Sequence, residues 1–218
     1  MKVQILYDNR ALPGYRADWG FACTIEGEQR VMFDTGADAS VLTHNMKRAG
    51  VDPTSIDLLI LSHRHWDHTG GLPHFDDTAP GLRVLALPTF ADDVKEASPA
   101  LVVECVDSCD EVAPGIFTTG PVYVEGQEIE QAIGVRTDGG IMLITGCAHP
   151  GVDALMTALT PRGRIRGVLG GFHGFDRFDA LTDLAILGAC HCTQHRREIA
   201  RRFPESYRDV MAGTVLDL

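Results

Sequence analysis

The chain opens on alternation. "KVQILY" at 2–7, "FACTIE" at 21–26 and "RVMFDTG" at 30–36 set apolar positions in period two or in short unbroken runs. That pattern predicts three strands separated by turn-rich stretches. "ASVLTHNMKRAG" at 39–50 shifts to a helical period, with Asp38 or Ser40 as N-cap and Gly50 as the stop. "DLLILSH" at 57–63 is continuously apolar until its end, as expected of a strand covered on both faces. Residues 83–135 alternate short strand candidates with turns and are the least readable part. "QHRREIARRF" at 194–203 predicts a helix, and "YRDVMAGTVLDL" at 207–218 one or two edge strands.

An internal echo organises these elements. "VMFDTGA" at 31–37 resembles "IMLITGC" at 141–147, and each precedes a predicted helix and then an apolar strand. Those strands end at His63 and His173, the same 110 residues apart. Two strand–turn–helix–strand units predict two similar halves of a single domain spanning 1–218. Sites in α/β sheets collect at the carboxyl ends of strands. His63 and His173 are therefore expected to face one cleft.

Composition narrows the function. Against 30 Asp and Glu stand 19 Lys and Arg, a net charge of −11 with no block of like charge. This is an acidic surface without the basic footprint of a nucleic-acid partner. No apolar run is long enough to span a bilayer, and the first residues read as a strand rather than a signal peptide. Six cysteines are too few for a disulfide scaffold of this length, so a cytoplasmic protein is expected. Cys190 and Cys192, flanking His191, read as buried apolar fillers, and so does Cys147. His44, His74 and His195 read as surface residues.

The chemistry concentrates in "LSHRHWDHTGG" at 61–71. His63 and His65 are two apart, a spacing that points both rings one way on an extended chain rather than a helix. Asp67 continues that face, and a turn there brings in His68. The glycines that follow let the backbone close tightly behind these side chains. Imidazole and carboxylate in this density suit zinc, whose catalytic sites need three protein ligands and an open position.

His63-x-His65-x-Asp67-His68 resembles the signature of the metallo-β-lactamase-fold superfamily of hydrolases. Asp34 in "FDTG", His149 in "TGCAHPG" and His191 in "CHCT" follow the same family order. With "YDN" and "GGFH", the set is most similar to the dihydropterin-methyl-ribofuranosylaminobenzene phosphate synthase-like branch. The resemblance implies an α/β fold, a four-layer αβ/βα sandwich of two mixed sheets with helices outside. It implies one metal on His63, His65 and His149 and a second on Asp67, His68 and His191, with Asp34 bracing the ligand loops. The chain departs from the family where many members carry a metal-bridging aspartate. The matching strand end, "LGGFHGFD", offers His173 or, as a poorer substitute, Asp176. A neutral imidazole cannot bridge two metals and leaves the site one negative charge short. His173 is thus either a ligand or a proton donor beside the metals.

The expected activity is metal-dependent hydrolysis of a small-molecule ester, lactone, amide or phosphoester by a metal-activated hydroxide that Asp67 orients. The expected cofactors are one or two divalent ions, zinc foremost, with manganese or iron as alternatives. An anionic substrate would suit the charge deficit; nucleic acid and membrane are not expected partners. Two other readings share the same ligands: a synthase of the pterin–ribosylaminobenzene phosphate type, and a metal-binding protein without turnover.

Overall fold

The computed structural model describes residues 1–127 and 129–218. Along the chain run β1 (Lys2–Tyr7), β2 (Ala22–Glu26), β3 (Arg30–Phe33), α1 (Ala39–Ala49), β4 (Leu58–Ile60), α2 (Trp66–Thr69) and α3 (Leu72–Thr78). Then come β5 (Arg83–Ala86), α4 (Ala91–Ala97), β6 (Val102–Cys105), β7 (Glu111–Ala113), β8 (Ile116–Thr118) and β9 (Ile133–Thr137). The last are β10 (Gly140–Thr145), α5 (Val152–Leu159), β11 (Ile165–Gly171), β12 (Ile186–Cys190), α6 (Arg196–Arg202) and β13 (Val215–Asp217). They form two compact units, residues 1–107 with 211–217, and residues 108–210 with 218.

The first unit holds a seven-stranded sheet in the order β13-β1-β2-β3-β4-β5-β6. Its β3, β4, β5 and β6 run parallel, while β1, β2 and β13 pair antiparallel. Mixed pairing follows from the connections: a loop over residues 8–21 joins β1 to β2, a tight turn over 27–29 joins β2 to β3, and helices cross over between the parallel strands. Val3, Ile5, Ile25, Val31, Phe33 and Leu59 are fully buried, and α1 adds Leu42 and Met46. Asp38 caps α1, its carboxylate accepting from Ser40 N at 2.8 Å and Val41 N at 3.1 Å. A bond from the Ser40 hydroxyl, then those from the two N–H groups, hold the Asp38 carboxyl below its usual range. Gly50 ends the helix at φ 72°, as its position predicted.

The second unit holds a six-stranded sheet, β12-β11-β10-β9-β8-β7, parallel from β10 to β12 and antiparallel beyond. Its core gathers Leu143, Leu155, Leu159, Val168, Phe172 and Leu187. The expected fold class is found: two mixed sheets with helices. The echo is structural too, because β3–α1–β4 and β10–α5–β11 are both strand–helix–strand units with parallel strands.

Three local expectations are corrected. "ADDVKEA" forms helix α4 inside the stretch read as strands and turns; of that stretch, residue 128 lies outside the described residues. Seven residues are too few for helical periodicity to stand out. The chain does not stay extended through Asp67, since α2 starts at Trp66, immediately after His65. His74 is half-buried, its ring 5.4 Å from that of Phe75, and burial pushes its pKa down.

Candidate metal centre

All four non-glycine residues with left-handed backbone among those described stand just beyond parallel strands: Asp34 (φ 57°), Ala148 (φ 55°), His173 (φ 43°) and His191 (φ 48°). They follow β3, β10, β11 and β12 respectively. Such a conformation persists only where surrounding contacts over-determine it, and it clusters at functional sites. Each lies at the carboxyl edge of its sheet, the place where α/β sheets bind ligands.

In the first unit the motif is built around Asp34. This fully buried carboxylate accepts from Ser62 N at 2.7 Å and Ser62 Oγ at 2.8 Å, and it meets His68 Nδ1 at 2.7 Å. Ser62 Oγ also lies 2.8 Å from His63 Nδ1, so one carboxylate orients two histidines, one directly and one through a hydroxyl. His63 Nε2 is 3.0 Å from His65 Nδ1, and His68 Nε2 is 3.7 Å from Asp67 Oδ2. The four motif side chains therefore crowd into one cluster. Glycine makes room for it: a Cβ on Gly70 would lie 2.1 Å from Ala37 O, and one on Gly71 2.3 Å from Thr35 O. Trp19, which sequence reasoning missed, donates its indole N–H to Asp67 Oδ2 at 2.9 Å. Trp66 is 64 % exposed, so it is no core residue.

The second unit has a counterpart that sequence reasoning also missed. Glu130 is fully buried, and its Oε1 accepts from Thr145 Oγ1 at 3.0 Å, Cys147 N at 2.8 Å and Ala148 N at 3.0 Å. Its Oε2 accepts from His149 N at 2.9 Å and meets His149 Nδ1 at 3.0 Å. One carboxylate thus fixes the whole loop after β10 and orients His149. The only trace in sequence is an acid beside the apolar start of β9.

The His149 ring lies 5.1 Å from that of His173, which is exposed at the turn after β11. Both line a cavity of about 250 Å³ with Gln127, Phe175 and Arg177. Arg177 is held by Asp153, through Nε to Oδ2 at 2.7 Å and Nη2 to Oδ1 at 2.6 Å. Asp176 is exposed on the same turn. His191 is buried, and its ring offers a nitrogen within 4.8 Å of Cys147 Sγ. Cys147 and Cys190 are buried as expected, but Cys147 Sγ also stands among the candidate ligand atoms beside His191, so burial alone does not make it a filler. Cys192 departs from that expectation: β12 stops at Cys190, strand alternation lapses, and its partly exposed thiol reaches 3.2 Å from Cys147 Sγ.

The donor set fits a divalent metal. Carboxylate contact at Nδ1 is the arrangement that fixes tautomer and ring orientation in metal-binding histidines, and it occurs at His68 and at His149.

The profile of the metallo-beta-lactamase superfamily matches residues 21–86. The chain is 26 % identical, at a TM-score of 0.83, to the crystal structure of Tm1679, described as a metal-dependent hydrolase of the β-lactamase superfamily, with 100 % and 99 % of the two chains covered. Zinc-bound PqqB from Methylobacterium extorquens shares the fold at 14 % identity and a TM-score of 0.65, over 100 % of both chains. Both the profile and Tm1679 support the metallo-β-lactamase superfamily read from the motifs. Within it, a match supports the branch read from the motifs. A 7,8-dihydropterin-6-methyl-4-(beta-D-ribofuranosyl)-aminobenzene-5'-phosphate synthase of Methanocaldococcus jannaschii is 27 % identical, with 87 % of this chain and 84 % of the relative covered. Among the described residues no helix is long and apolar enough to cross a membrane.

Proposed function

We propose that this chain is a metal-dependent hydrolase of a small anionic ester, lactone, amide or phosphoester. The observation that carries the reading is the pair of fully buried carboxylates, Asp34 and Glu130, each holding the Nδ1 side of a candidate ligand. Burying a carboxylate is costly unless several donors satisfy it, and a fold that does so twice beside histidines is built for cations. By family resemblance His63, His65 and His149 would hold one ion, and Asp67, His68 and His191 a second, zinc being the first candidate. A bound divalent ion would lower the pKa of its water to about 7 and draw charge from the electrophile's oxygen.

The chain's own residues supply the rest. Asp67, fixed by the Trp19 indole, orients the attacking water. His173, exposed beside His149, is placed to give a proton to the leaving group. Arg177 in the same cavity wall attracts an anionic substituent, although Asp153 shares its charge. We place the activity in the cytoplasm, without nucleic acid or membrane as partner. A second reading, a synthase, is favoured by the relative from Methanocaldococcus jannaschii.

Metal analysis of the purified chain, followed by parallel assays on esters, lactones, phosphodiesters and the pterin–ribosylaminobenzene phosphate pair, tests both. His63→Ala and His149→Ala are each expected to lower metal content and turnover together while the far-ultraviolet spectrum stays native. Full metal content in both variants would refute the ligand assignment. Turnover only with the pterin pair would replace the hydrolase by the synthase.

A further inference from the structure

We propose that Cys147 and Cys192 form a reversible disulfide-forming pair, a modification site for low-molecular-weight disulfides, which loosens the metal-binding loops when oxidised. The second half rests on the metal-centre reading above; the first does not.

The geometry comes first. The two Sγ atoms are 3.2 Å apart, about 1 Å beyond a disulfide bond of about 2.05 Å. The pair spans 45 residues and joins the loop after β10 to the turn after β12. The room it occupies depends on Gly171, where a Cβ would lie 2.7 Å from Cys192 Sγ and 2.4 Å from Gly146 O. Access is graded, with Cys192 partly exposed and Cys147 buried. Cys23 and Cys190 are buried as well, whereas Cys105 and Cys109 reach solvent.

That gradient sets the order of the reaction. The Cys192 sulfur attacks one sulfur of the small disulfide, forming a mixed disulfide and expelling one small thiolate. The Cys147 sulfur then attacks Cys192 Sγ and expels the second. The two protein sulfurs give up two electrons, and their two protons pass to the two leaving thiolates. A small dithiol reverses both steps.

The consequence follows from where the cysteines sit. Ala148, held at φ 55°, separates Cys147 from His149, and His191, at φ 48°, directly precedes Cys192. Closing the sulfurs by about 1 Å moves one or both turns, whereas metal–ligand distances tolerate about 0.2 Å.

The test uses the full chain, reduced and then exposed to oxidised glutathione, with exposed thiols blocked by iodoacetamide before peptide mapping. Expected is a cross-linked pair of peptides carrying Cys147 and Cys192, with the loss of two hydrogens, reversed by dithiothreitol. Chelator competition with zinc should show affinity about tenfold weaker in the oxidised chain. The same treatment should leave zinc affinity unchanged in Cys192→Ser and Cys192→Ala. Complete alkylation of both thiols, stable glutathione adducts, or cross-links confined to Cys105 and Cys109 would overturn the modification site. A Cys147–Cys192 cross-link with unaltered zinc affinity would overturn the coupling. A cross-link in a chain that binds no zinc in either state would leave the modification site standing and sink the metal-centre reading instead.

Discussion

Glu130 shows how much one buried side chain can hold. Five donors converge on its carboxylate, three of them backbone N–H groups of consecutive residues after β10. In Glu130→Gln the amide NH₂ must face at least two of those donors, in a fully buried site. The expected loss is about 1–3 kcal/mol in denaturant unfolding. Zinc affinity should fall by about 10–100-fold, because His149 loses the contact that fixes its ring. Unchanged chelator competition would show that Glu130 serves the fold alone. Trp19 acts at the same scale by a lighter hand. Trp19→Phe removes the donor to Asp67 while keeping the ring's apolar body, and turnover is expected to drop more than zinc content. A fall in metal content alone would place Trp19 with the ligands' support, not with the orientation of Asp67.

At the scale of elements, the decisive feature is how closely β10 and β11 approach. Gly170, paired with Thr145, has φ 124°, and a Cβ there would lie 1.9 Å from Thr145 O. Gly170→Ala is expected to cost about 2–4 kcal/mol in chemical denaturation, through backbone strain and forced separation of the strands. A second tie joins α5 to the turn carrying His173. The Arg177 hydrogen bonds hold the Asp153 carboxyl below its usual range, so this pair stabilises the fold above the ordinary Asp pKa. That contribution disappears as pH falls through the lowered folded value. The side chains are 58 % and 35 % exposed, which leaves about 0.5–1 kcal/mol after solvent screening. Arg177→Gln should therefore be less stable than wild type at neutral pH and match it in strong acid. A pH-independent difference would point to lost packing on Phe175 instead. These elements also mark what the sequence could reveal. α1 was legible because Asp38 and Gly50 punctuate eleven residues, and the doubled echo exposed both strand–helix–strand units. Helix α4 was not, being two turns long, and α2 was hidden by a histidine spacing equally compatible with an extended chain. Asp34 was found through its place in "FDTG"; Glu130 was missed because its partners are mostly backbone groups, which leave no pattern of residue types.

For the whole molecule, the balance of charge governs what it can attract. A net charge of −11 repels anions at long range, so an anionic substrate must be drawn by local cations. Arg177 is one, and the bound metals would be the others. The missing bridging aspartate matters most here, because a carboxylate in place of His173 would cancel part of that local charge. His173→Asp puts an acid on the turn after β11, beside the His149 ring. If His173 approaches the metals, the variant should bind its second zinc at least about tenfold more tightly, a gain of about 1.4 kcal/mol. The gain would come from one added negative charge and a second ligating oxygen. The same variant should lose turnover on anionic substrates more than on neutral esters, because the added carboxylate repels the former and proton donation at neutral pH is gone for both. Zinc titration of apo protein by calorimetry reads the first effect, and paired kcat/KM values on a phosphodiester and a neutral lactone read the second. Equal second-site affinity in wild type and variant would remove His173 from the metals. With affinity equal and both substrates slowed alike, His173 is left as the proton donor, and the preference for anions must then come from Arg177 alone.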